Sequence, residues 1–252
     1  STIFTMLVAT SYNIVDTYFV SGLGESSVAA VGIMFSVMAL IQAVGYTWGM
    51  GAGSGIARLL GKQKKREAEQ TLATAFAGGI LSGAVMAVIF AVFRGDVVRL
   101  LGATDTSLAP AGQYGIYIML AAPVMCGAYV LNNALRAEGQ PYLALLGILA
   151  GGLSNALFDY ILVRVLGLGI AGAGIATLAG QGISLAIMYI CVRSRCSVVR
   201  LHISDLWSFR YGVRIVRTGL PSFLRQGLMC FAAVMISRSC RQYGDGAMAG
   251  IT

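Results

Sequence analysis

The sequence predicts an all-α polytopic membrane protein, a six-helix N-terminal lobe followed by the first helix of a second, pseudo-repeated lobe. Three observations predict it. Of 252 residues, 57 % are apolar and only 11 % are charged. Soluble domains carry about 25 % charged residues, so too little polar side chain exists here to cover a water-facing surface. Seven stretches are apolar over the roughly 20 residues that a helix needs to cross a bilayer. A short pattern also recurs: Gly24-Glu25-Ser26-Ser27-Val28-Ala29 and Gly244-Asp245-Gly246-Ala247-Met248-Ala249 lie 220 residues apart. Six helices separate the copies, so both have the same orientation, as in a parallel repeat.

The apolar stretches run approximately 2–21, 29–57, 72–93, 111–135, 142–165, 170–192 and 219–239. The second is long, as for a helix that tilts or extends into the cytoplasm. Gly78, Gly79 and Gly83, and Ala171 to Gly174 with Gly180, have the small-residue spacing that lets helix backbones approach. The five cysteines show no metal or disulfide spacing and read as small apolar filler. Segment 198–218 mixes Leu201, Leu206, Trp207, Phe209 and Val213 with Arg200, Arg210, Arg214 and Arg217. That pattern suits an amphipathic helix on the cytoplasmic face, and as the longest connection it is the natural linker between two halves. The expected organisation is therefore a lobe over 1–197, a linker over 198–218, and the start of a second lobe over 219–252. The chain starts and stops inside apolar runs and is read as a piece of a longer protein.

A net charge of +8 would suggest nucleic acid in a soluble protein. Here it sets topology, and no nucleic-acid partner is expected. Thirteen of the 18 basic residues follow the second, fourth or sixth stretch, among them Arg58, Lys62, Lys64, Lys65, Arg66 and Arg136. The positive-inside rule puts these even-numbered loops in the cytoplasm of a multi-pass plasma (inner) membrane protein, with the first helix running outward.

Several motif matches lack their context. Gly167-Leu168-Gly169-Ile170-Ala171-Gly172 fits a dinucleotide fingerprint but follows no strand, and Gly61-Lys62 lacks the Ser or Thr of a phosphate loop. His202 sits alone in the linker. No nucleophile with its base and no zinc spacing occurs, so neither an enzyme nor a bound cofactor is expected.

The acids are more informative. Eight of ten fall in loops or at helix ends; only Asp16 and Asp159 lie well inside apolar stretches. An ionised carboxylate there is costly unless paired or hydrated, and usually marks an ion path or proton relay. Asp16 precedes the exit of its helix at Gly22 by roughly 9 Å, Asp159 precedes Leu166 by roughly 10 Å, and Thr177 lies roughly 10 Å into the sixth helix. Asn155 shares a helical face with Asp159. Asp16, Asn155, Asp159 and Thr177 can thus occupy one layer in the outer half of the membrane. Two carboxylates, an amide and a hydroxyl could coordinate Na⁺, or could equally form a proton site. Tyr12 and Asn13 lie within a turn of Asp16 and either extend this network or only satisfy packing. Gln42, Gln181 and Gln226 are further polar residues inside apolar stretches, explained by interhelical hydrogen bonds; Gln42 and Gln181, like Tyr12 and Asn13, are alternatively candidates for a substrate cavity. The 220-residue offset carries Asp16 onto Ile236, so the acid site belongs to the first half alone.

Three segments together resemble the multidrug and toxic compound extrusion (MATE) transporters. Asn13-Ile14-Val15-Asp16-Thr17 with Gly22-Leu23-Gly24 is similar to the family's first-helix motif. Asn132-Asn133-Ala134-Leu135-Arg136-Ala137-Glu138-Gly139-Gln140-Pro141 resembles its fourth-helix signature. Asn155-Ala156-Leu157-Phe158-Asp159, with Gly169 to Thr177, resembles its fifth-to-sixth helix motif. The resemblance covers essentially the whole chain. It implies about twelve helices in two lobes around a central cavity. It also implies export of drugs or other amphipathic small molecules, often cationic, against inward flow of H⁺ or Na⁺. It places a cation site at Asp16, Asn155, Asp159 and Thr177, and adds the backbone carbonyl of Ala173. The family's first helix also carries a bending proline, which implies Pro immediately before Ser1; Pro221-Ser222 occupies the equivalent place in the second half. The expected partners are a small-molecule substrate and membrane lipid, with the protein a monomer. The nearest alternative is a related flippase for lipid-linked sugars or polysaccharide, which would favour more basic residues inside the cavity. A seven-helix receptor or channel and an intramembrane enzyme fit less well.

Overall fold

A computed structural model describes residues 25–101, 107–194, 197–201 and 209–241. Six helices follow one another: α1 Glu25–Gly61, α2 Lys65–Leu100, α3 Leu108–Ala137, α4 Pro141–Asp159, α5 Gly169–Arg193 and α6 Phe209–Arg241. No strand occurs among the described residues. Helices α1 to α6 take up the second to seventh apolar stretches. The first stretch, with Tyr12, Asn13 and Asp16, lies outside the described residues, as do His202 and the repeat copy at 244–249.

Five helices, α1 to α5, are long and apolar enough to cross a membrane. Helix α1 has 37 residues, roughly 56 Å at 1.5 Å per residue, well beyond a bilayer core of about 30 Å. Helix α2 bends at Phe93, whose φ of −108° and ψ of 24° leave the helical region. The bend falls where the apolar stretch ends and Arg94, Asp96 and Arg99 begin. Along α2, Leu81, Val85, Val88, Ile89 and Val92 are exposed at the spacing of one helical face, which makes an outward apolar band suited to lipid.

Helix α3 is the centre of the packing, set against α1, α2 and α5, while α4 pairs with α5 and α6 with α1. Its Tyr114, Ile118, Leu131 and Leu135 are fully buried. Small residues permit these crossings. A methyl at Gly83 would sit 2.7 Å from the backbone of Ala122 and Pro123, and one at Gly78 2.5 Å from the Trp48 ring. Trp48 then reaches past Gly78 to donate a 3.0 Å hydrogen bond to Ser82 Oγ. At the α1–α6 crossing, a methyl on Gly51 would collide with the Ile215 carbonyl, and one on Gly219 with the Thr47 carbonyl.

Pro141 opens α4 at its first turn, where its missing N–H costs nothing. The turn before it needs Gly139, whose φ is +81°. Gln140 N–H closes that turn on the Leu135 carbonyl at 2.9 Å, a left-handed glycine ending of α3. Beyond Asp159 the chain widens into a π-helical turn, Tyr160–Val165. Gly167 and Gly169, with φ of +65° and +59°, then reverse it into α5. The glycine pattern at 167–172 is therefore a helix-to-helix turn.

Residues 209–218, expected within a separate linker helix, instead form the first turns of α6, which runs without interruption past Pro221. Burial explains the difference: Ile215 is buried in the core shared with Ala52 and Leu72, and Tyr211 packs against the same cluster. Arg214 and Arg217 remain exposed.

Candidate coupling site and adjoining cavity

The α4–α5 crossing builds the site. Gly151 and Gly180 face each other so closely that a methyl on Gly180 would lie 2.8 Å from both the Gly151 carbonyl and Asn155 Cβ. That approach brings the Asn155 face of α4 onto the Thr177 face of α5. Asn155, Asp159, Ala173 and Thr177 are all buried. With the Asn155 amide turned to satisfy both neighbours, its nitrogen donates to Asp159 Oδ2 at 3.0 Å and its oxygen accepts from Thr177 N–H at 3.1 Å. Thr177 Oγ1 donates to the Ala173 carbonyl at 3.0 Å. Four of the five expected coupling residues are thus placed together; Asp16 lies outside the described residues. The carboxylate, amide, hydroxyl and carbonyl oxygens are hard donors, chemically suited to Na⁺ as well as to a proton. The π-helical turn begins immediately after Asp159, a local irregularity frequent at functional sites.

A cavity of about 320 Å³ adjoins this site, and Asn155 lines it while Asp159 does not. Asn155 is therefore shared, one side against the acid and the other toward the cavity. Gln42 and Gln181 also line the cavity. Gln42 accepts a 2.6 Å hydrogen bond from Gln226 on α6 and donates a 3.4 Å one to the Tyr129 hydroxyl. The Tyr46 and Tyr129 rings stand 4.9 Å apart on the same wall. The expectation from residue type alone passed over Tyr46, Tyr129, Asn132, Asn133 and Arg136 as cavity residues. A signal was present: 129, 132, 133 and 136 follow helical spacing and share one face of α3.

The MatE family pattern matches residues 1–161. The chain belongs to the MatE family. Among MatE relatives, the multidrug export protein MepA of Staphylococcus aureus strain MRSA252 is 27 % identical over 245 residues, 96 % of this chain and 54 % of that protein. MepA of Staphylococcus saprophyticus is 24 % identical over the same length. A solved inward-facing multidrug resistance MATE transporter superposes with a TM-score of 0.88 at 29 % identity, covering 95 % of this chain and 55 % of its own. A MOP-superfamily transporter from Pyrococcus furiosus superposes at 0.81 with 32 % identity, covering 88 % of this chain and 50 % of its own. The chain spans about half the length of the curated relatives it matches. As a MatE protein with five membrane-length helices, it is a multi-pass membrane protein.

Proposed function

We propose that this chain is the first half of a transporter, not an enzyme, that exports amphipathic, often cationic, small molecules by alternating access in exchange for H⁺ or Na⁺. The observation that carries this reading is the double contact of Asn155, which bonds Asp159 and Thr177 and also lines the cavity. An ion at the acid and a substrate in the cavity would then act on one side chain.

The chemistry follows from donor counting. An ionised Asp159 accepts from the Asn155 nitrogen. A proton on Asp159 Oδ2 turns that oxygen into a donor, which pairs with the amide oxygen and not with the nitrogen. With the proton at Oδ2 the amide turns over, and its nitrogen faces Thr177 Oγ1 at 3.5 Å, a weak contact. Protonation of Asp159 thereby changes what Asn155 offers to the cavity and loosens α4 against α5. Na⁺ would likewise draw the amide oxygen toward the carboxylate. If ion and substrate favour different arrangements of this pair, their binding is coupled. The loops carrying Lys62 to Arg66 and Arg193 are cytoplasmic on this reading, in a plasma (inner) membrane. A single basic residue, Arg136, lines the described cavity, which favours drug export over a flippase for lipid-linked sugars.

The test is dye efflux by the full-length protein in proteoliposomes under separately imposed proton and sodium gradients. One gradient should drive efflux, and Asp159→Asn should abolish it. Efflux that needs neither gradient would overturn the reading.

A further inference from the structure

A second cavity, of about 290 Å³, opens where α1, α2 and α6 meet. Three cations from two places converge on it: Arg58 in the last turn of α1 with Lys62 in the turn that follows, and Arg214 on α6. Among the described residues the one ion pair is Lys64 with Glu67, so none of the three has a carboxylate partner there. Arg58 is held in place by its own helix, with Nε donating to the Ser54 carbonyl at 3.0 Å and an Nη donating to Ser54 Oγ at 3.3 Å. Leu59 and Ile215 supply apolar wall. The cavity exists because Gly51 lets α6 seat its Ile215 carbonyl directly on α1. On the same turns of α6, Val213, Val216 and Leu220 are exposed apolar side chains.

We propose that this cavity binds the phosphate group of an acidic membrane lipid. Three like charges around one small space repel each other, and an anion among them offsets that repulsion. Arginine presents paired donors that match phosphate oxygens. Basic pockets between membrane helices are suited to anionic headgroups, and the apolar wall beside the cations accepts the glycerol and first acyl carbons. A free phosphate shares the headgroup chemistry but gains nothing from that wall. The binding claim stands apart from the transport reading, because it requires only the α1, α2 and α6 geometry.

Native mass spectrometry of the detergent-solubilised full-length protein tests it, with phosphatidylglycerol, phosphatidylethanolamine and inorganic phosphate as probes. Phosphatidylglycerol should bind the more tightly of the two lipids, and Arg58→Gln with Arg214→Gln should weaken it about thirtyfold. Lys65→Gln with Arg66→Gln, outside the cavity, should retain it. Arg58→Lys with Arg214→Lys keeps the charge and should lose much less than the glutamine pair. Raising salt from about 0.05 to 0.5 M should weaken binding to the unaltered protein, since screening shortens with ionic strength; this arm holds even if the glutamine pair fails to fold. Inorganic phosphate that displaces the lipid supports the same phosphate site. Equal binding of the two lipids, salt-insensitive binding, or full retention by a folded glutamine pair overturns the proposal.

Discussion

Gln226 on α6 donates a 2.6 Å hydrogen bond to the side-chain oxygen of Gln42 on α1. Gln226 is buried, and the pair joins residues 184 positions apart in the chain. Gln42 in turn reaches Tyr129 on α3, so one amide ties α6 to the cavity wall. Gln226→Ala should lower stability by about 1–2 kcal/mol, because the Gln42 side-chain oxygen loses its donor in a partly buried setting. Gln42→Leu with Gln226→Leu should cost less than the sum of the single leucine changes. Thermal unfolding of the full-length protein reads both.

The Asn155 bridge separates roles within the buried cluster. Thr177→Ser keeps the hydroxyl and should retain most efflux, whereas Asn155→Leu leaves Asp159 Oδ2 without its amide donor and should abolish it. Membrane insertion should be unchanged in both. Full efflux by Asn155→Leu at normal expression would refute the proposed role of the bridge.

Two glycines on α5 offer a matched comparison. A methyl on Gly180 meets Asn155 Cβ and the Gly151 carbonyl at 2.8 Å, whereas one on Gly182 meets nothing within 4 Å. Gly180→Ala should destabilise by about 1–3 kcal/mol through overpacking and impair efflux by displacing Asn155. Gly182→Ala should be neutral or slightly stabilising. Unfolding and efflux measured side by side on the two variants decide this.

Glu138 lies just beyond α3 and holds the chain after α5. Its Oε2 accepts from Val198 N–H and meets Ser197 Oγ, both at 2.8 Å. Burial pushes its carboxyl above the ordinary glutamate range, against the opposing effect of the Ser197, Val198 and Val199 hydrogen bonds and the Lys65 charge. The fold therefore favours protonated Glu138. This contribution is complete below the ordinary glutamate value and is lost as pH rises through the raised one. Folding stability should fall over that interval, and Glu138→Gln should flatten the dependence. Denaturant unfolding of the full-length protein across a series of pH values measures it.

Fold class and most helix positions were legible because the bilayer imposes simple requirements. Each crossing needs a long apolar run, and each buried acid needs a reason. Asn155, Asp159 and Thr177 could be grouped from helical rise alone, since depth in a membrane is a one-dimensional coordinate along each helix. Ala173 was not reachable this way, because its donor is a backbone carbonyl that every residue carries. It entered through resemblance, and the structure places it against Thr177 Oγ1.

Contacts between helices followed a different logic. No apolar count distinguishes Gly180 from Gly182, yet one lies at the α4–α5 crossing and the other faces open space. Residues 209–218 looked interfacial by their arginines, but burial of Ile215 against α1 and α2 made them the start of α6. Arg214 is far from Arg58 and Lys62 in the chain and meets them only because Gly51 admits the Ile215 backbone. Hydrophobic period and charge act locally, so the sequence alone determined where the long apolar helices among the described residues run. Which helix touches which depends on packing between distant segments, and only the tertiary structure decided that Asn155 would stand between an acid and a cavity.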